Sequence, residues 1–135
     1  MADLSITAAN VRIGSDAVTR LVQFGEAVTP GQAVYLLSGK YYKADADDAD
    51  KYQATAIAVS NASADDYGMI QLSGSLNIGA TTVEGVVYVL SDTAGGIKPT
   101  ADLTSGDYTT ILMVATDATG KCELAIQAFD ATTAA

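Results

Sequence analysis

The chain has 135 residues, 7 Lys plus Arg against 16 Asp plus Glu, a formal net charge of −9, no His and no Trp. A single domain of this length buries roughly two-thirds of its unfolded surface, enough for a core without metal or disulfide staples. The charge excludes the clustered cations that nucleic acid and anionic membranes require, and the missing His removes the commonest general base and metal ligand.

In chain order, residues 1–19 stand apart as an N-terminal arm. Leu4, Ile6, Val11 and Ile13 are isolated apolar residues among Ser, Thr, Asn and Gly. That pattern suits a loosely docked terminus, or an extended arm that adds to a neighbour's sheet edge, with those four residues as its contacts. No charged segment leading into an apolar run opens the chain, so synthesis and folding in a reducing cytoplasm are expected. From residue 20 to 130 short runs rich in β-branched and aromatic residues predict strands over Arg20–Gln23, Ala33–Leu37, Tyr41–Lys43, Thr55–Ser60, Gly68–Ser73, Val86–Leu90, Thr109–Thr116 and Lys121–Ala128. Turn chemistry separates them: Thr29-Pro30-Gly31, Ser38-Gly39, Gly95-Gly96, Ser105-Gly106-Asp107 and Thr119-Gly120. Ala46–Gln53 supports either one or two helical turns or a solvated acidic loop. The longest apolar runs, Ala54–Val59 and Ile111–Ala115, are far too short to span a bilayer as a helix. Residues 131–135 form a small polar C-terminal tail.

An internal repeat organises these runs. Val34-Tyr35-Leu36-Leu37-Ser38 matches Val87-Tyr88-Val89-Leu90-Ser91, while Ile70-Gln71 matches Ile126-Gln127. The expected fold is therefore all-β: a barrel or sandwich of two similar β units, about 25–74 and 78–130, with an extended N-terminal arm and little helix. Two units cannot stack into an array, so each covers the apolar face of the other.

Catalytic chemistry finds no support. Cys122 has Glu123 beside it, and a nearby anion raises a thiol pKa, so it reads as a buried structural cysteine. Asp45-Ala46-Asp47-Asp48-Ala49-Asp50 is the one carboxylate cluster. An EF-hand loop starting at Asp45 would need Gly at its sixth position and Glu at its twelfth, where Asp50 and Ala56 stand. The Gly-rich segments lack a Walker lysine and a following helix. No enzyme activity, metal site or cofactor is expected. Tyr41 and Tyr42 are candidate interface aromatics: neighbours on a strand face opposite ways, so one ring points outward unless something covers it.

Three stretches resemble capsid decoration (cement, head-stabilising) proteins of tailed bacteriophages: residues 1–11, Gly25–Leu36 with Tyr41–Asp47, and Ile78–Ala80 leading into Gly85–Ser91 and Gly95–Pro99. The similarity runs over nearly the whole chain. It implies a β-rich domain, often a homotrimer, on the outer face of the virion shell, binding the major capsid protein at three-fold and quasi-three-fold junctions. It also implies assembly in the host bacterial cytoplasm and an N-terminal arm that touches the capsid. The alternative is a tail-fibre or host-attachment β domain that binds a cell-surface ligand.

Overall fold

Period-two alternation of apolar and polar side chains resolves into ten strands in a computed structural model, which describes residues 3–48, 50–103 and 107–132, with side chains of the last strand described as far as Ala128. They are β1 (Arg12–Ile13), β2 (Val18–Gln23), β3 (Ala33–Leu37), β4 (Lys40–Lys43), β5 (Ala56–Ala58), β6 (Tyr67–Asn77), β7 (Val87–Leu90), β8 (Ile97–Pro99), β9 (Tyr108–Ala115) and β10 (Lys121–Thr132). The only helical elements among the described residues are single 3-10 turns at Ala8–Asn10 and Thr100–Asp102. The fold is all-β, as the composition and turn spacing predict.

The strands form one antiparallel sheet in the order β4-β3-β5-β6-β10-β9-β7-β8, with β1 and β2 added along β6. The order reads alike from both ends toward the β6–β10 seam: a hairpin, then the third strand beside the hairpin's first, then the fourth. The pairing registers differ, since Val34 lies opposite Ala56 whereas its counterpart Val87 lies opposite Val114. The hairpins also differ in their turns. Ser38 and Gly39 both take positive φ, 52° and 85°, which suits a tight two-residue connection between twisted strands. Between β7 and β8 the longer loop 91–96 instead reaches back to the first half. There Gly95 donates to the Ala44 carbonyl at 2.7 Å, and its own carbonyl accepts the Ala33 N–H at 3.0 Å.

Residue alternation puts a core on each face of the first half. Val34, Ala56, Ala58 and Ile70 join Val22, Phe24, Val28 and Tyr41 in one buried cluster. The sheet curls around it until Phe24, just past the end of β2, forms a parallel bridge with Tyr41 of β4. Their alternates Ala33, Tyr35 and Ile57 join Leu76, Ile78, Tyr88, Leu90, Ile97, Leu112 and Cys122 in the larger cluster between the halves. Each fully buried aliphatic side chain contributes roughly 1.5–3 kcal/mol. The result is a curled antiparallel half-barrel.

Strand β6 carries the curl. Its first part, Tyr67–Ser73, pairs β2 and β5; from Gly74 onward it pairs β10, and at its end β1. Gly74 has φ of 92°, and a Cβ there would run into the backbone carbonyl of Asp16. Fully buried Gln71 spans the bend, its Nε2 donating to the carbonyls of Ser73 at 3.1 Å and Ser75 at 2.8 Å.

Each predicted strand overlaps an observed one, with Thr109–Thr116 displaced by one residue from Tyr108–Ala115. The run predicted as Gly68–Ser73 extends to Asn77, because Gly74-Ser75 bends the strand without ending it. Strands β1 and β8, of two and three residues, are too short for alternation to register. The described part of Ala46–Gln53 is turn and extended chain without helix; Ala49 lies outside the described residues. Residues 131–132 complete β10. Residues 133–135 of the tail, Met1 and Ala2 of the arm and the Ser105-Gly106 turn lie outside the described residues.

Candidate functional surface

Residues 3–17 lie on the chain's own domain. Asp3 accepts a hydrogen bond from the Ser91 hydroxyl at 2.6 Å, Leu4 N–H donates to the Ile97 carbonyl at 2.8 Å, and Thr7 N–H donates to the Gly79 carbonyl at 2.8 Å. Leu4 and Ile6 are half-buried against the larger core, and Val11 is part of it. Gly31, at φ of 95°, leaves space for the Ile6 side chain, which a Cβ would meet at 2.7 Å. Of the four arm residues only Ile13, 53% exposed, faces solvent. Asp16 then anchors the connection to β2: its carboxylate accepts the Ser75 N–H at 2.9 Å and the Ser75 hydroxyl at 2.5 Å. Those bonds, the hydroxyl first, hold its pKa below the ordinary carboxylate value.

The tyrosine pair is largely engaged inside the molecule. Tyr41 is buried edge-on to Phe24, with ring centroids 6.4 Å apart. Tyr42 is half-buried, lies over Gly25 and sits 5.9 Å from the Tyr35 ring. Among the described residues the exposed aromatic is Tyr67 at the start of β6, 66% exposed. Sequence patterning passes over it because Asp65-Asp66 before it reads as a loop.

The acidic segment has a structural explanation. Ala44 and Ala46 are fully buried where the backbone crosses between the halves: Ala46 N–H donates to the Ser91 carbonyl at 2.9 Å, and Tyr108 N–H donates to the Ala46 carbonyl at 2.8 Å. Small side chains permit that close approach, while Asp45 is half-buried and Asp47 exposed. Burial raises the Asp45 carboxyl to about 6, helped by a hydrogen bond with the Asp47 side chain. Among the described residues no three His, Cys, Asp or Glu side chains are grouped to hold a metal ion.

Cys122 is fully buried at the seam, and its thiol reaches the Gly120 carbonyl at 3.4 Å. Desolvation, with a smaller contribution from Asp117, pushes its pKa up to about 12. A thiol in that state is a poor nucleophile. A feature without a sequence signal is the buried ion pair of Lys98 with Asp107, 2.7 Å apart, with Asp92 at 3.8 Å from the same ammonium. Spacing cannot announce it, because the partners meet only through β8 and the start of β9.

One groove of about 460 Å³ is lined by Ser5, Thr7, Asn10, Asn77, Gly79 and Thr119, among others. Asn77 is already committed there: its amide donates to the Thr119 carbonyl at 3.2 Å and its oxygen accepts the Gly79 N–H at 2.9 Å. The most distinctive surface is apolar. Ile13, Val18 and Leu21 on β1–β2 are 53%, 51% and 64% exposed, and β6 adds Tyr67 beside them. Arg12 and Arg20, the only arginines in the chain, lie exposed on the same two strands. Such a surface fits contact with another protein.

Comparison with protein-family models, curated proteins and solved structures yields no match.

Proposed function

We propose that this chain is a bacteriophage capsid decoration protein, a non-enzymatic cement. It binds the outer surface of the major capsid protein shell at three-fold and quasi-three-fold junctions, as a homotrimer, and stabilises the head. The observation that carries the proposal is the resemblance of residues 1–11, Gly25–Leu36, Gly85–Ser91 and Gly95–Pro99 to that family. The all-β fold is compatible with it, as is an apolar, arginine-bearing edge on a body of net charge −9. Many copies on one shell supply avidity, so each contact can be modest.

Co-sedimentation with expanded, undecorated shells tests the proposal. Saturable binding is expected, and Ile13→Asp should weaken it if the arm touches the shell. Deleting residues 2–14 is a poor test, because it would remove Leu4, Ile6 and Val11 from the core. Absence of shell binding, with retention on host cells, would overturn the proposal in favour of an attachment domain.

A further inference from the structure

We infer that copies of this chain associate head to tail, the β1–β2 edge of one against the distal half of β10 in the next. This names the faces for the proposed homotrimer and rests on that proposal only for the number three.

A sheet edge presents unpaired N–H and C=O groups and invites another strand unless something covers it. Two edges of this sheet are covered by the chain itself. Beyond β4, Gly25 N–H donates to the Tyr41 carbonyl at 2.9 Å and Lys43 N–H to the Glu26 carboxylate at 2.9 Å. Beyond β8, Leu4 N–H takes the Ile97 carbonyl. Two others are open among the described residues. Strands β1 and β2 pair only β6, apart from the Phe24 bridge just past their end. Strand β10 leaves β6 after Leu124, and its distal half pairs only β9.

Side chains distinguish the two open edges. The β1–β2 edge exposes Ile13, Val18 and Leu21 together with Arg12 and Arg20. Along distal β10, Ala125, Gln127 and Ala128 are exposed, small or neutral, and an open groove of about 470 Å³ bounded by Thr55, Leu72 and Ile126 runs beside it. Pairing β2 with a second β2 would bring arginine edges together. Pairing it with distal β10, whose exposed residues Ala125, Gln127 and Ala128 carry no charge, avoids that repulsion. Two different complementary edges make a heterologous contact, which closes into a ring when the rotation permits.

Light scattering on the full chain at micromolar concentration is the test, using Leu21→Glu, Gln127→Lys (which sets a cation against the arginine edge) and, as a control at another exposed apolar site, Val83→Glu. Far-UV circular dichroism verifies that each variant is folded. Wild type and Val83→Glu should be oligomers, while Leu21→Glu and Gln127→Lys should each fall to the single-chain mass. Mixing those two monomers should give a dimer, since each retains one intact edge that the other lacks. A monomeric wild type, or an oligomer indifferent to both edge variants, overturns the inference. Failure of the mixture to dimerise also overturns it, because the contact is then not head to tail. Shell co-sedimentation is read separately, so loss of the cement proposal and loss of this interface are distinguishable.

Discussion

Lys98 and Asp107 are 5% and 4% exposed at their side chains, and their 2.7 Å contact joins β8 to the start of β9. Burying both charges costs about as much desolvation as their attraction returns, so the pair matters mainly when broken. Asp107→Ala, which strands the ammonium, should lower unfolding stability by about 3–5 kcal/mol in urea titration, and Lys98→Met with Asp107→Leu should lose less than the single change. A single variant as stable as wild type would show that Asp92 suffices to hold the lysine. Asp45 acts through pH. Its folded pKa, about 6, lies above the ordinary value of 3.8, so the fold holds this proton more tightly than the unfolded chain does. The resulting penalty is absent below about 3.8 and complete above about 6. Asp45→Asn retains an oxygen to accept the Asp47 N–H, which lies at 3.2 Å. It should therefore raise the melting temperature near neutral pH and leave it unchanged near pH 4. The gain should stay under about 1 kcal/mol, because solvent screens a partly exposed carboxyl. Equal melting of both proteins at neutral pH would contradict this account of Asp45.

At the level of elements, β6 is the member on which the others depend, since it pairs four strands and bends at Gly74. Gly39 provides the comparison: its φ is also positive, 85°, but a Cβ there would meet nothing within 4 Å. Gly39→Ala should cost about 1 kcal/mol from backbone strain, and Gly74→Ala clearly more, since Asp16 blocks the added carbon. Equal losses in thermal unfolding would mean that the Asp16 approach contributes nothing. This bend also marks the limit of what local sequence conveys. Ser38-Gly39 was legible as a tight hairpin because two positive-φ residues at the tip of alternating runs have few other uses. Gly74-Ser75 carries the same residue types, yet here the strand continues, and only its pairing with β10, far along the chain, decides that. The Val34-Tyr35 and Val87-Tyr88 likeness was visible, whereas the register that separates the two halves depends on contacts across the sheet. For the candidate surface, Ile13 was legible as an exposed apolar residue. The burial of Leu4, Ile6, Val11 and Tyr41 was not, because each side chain rests on residues distant in sequence.

At the scale of the whole molecule, the N-terminal segment and the acidic crossing do similar work. Leu4 and Thr7 tie the first residues to β8 and to the turn after β6, and Ala44 and Ala46 tie the first half to the loop 91–96 and to β9. Both are backbone contacts between distant parts of the chain, so the two halves should unfold as one cooperative unit. What remains outward is an acidic body with an apolar, arginine-bearing edge. If the protein strengthens a phage head as proposed, calorimetry of expanded shells with saturating protein should show a rise in the temperature of shell disruption that saturates with bound copies. Protein that binds the shells yet leaves that temperature unchanged would exclude a cement role.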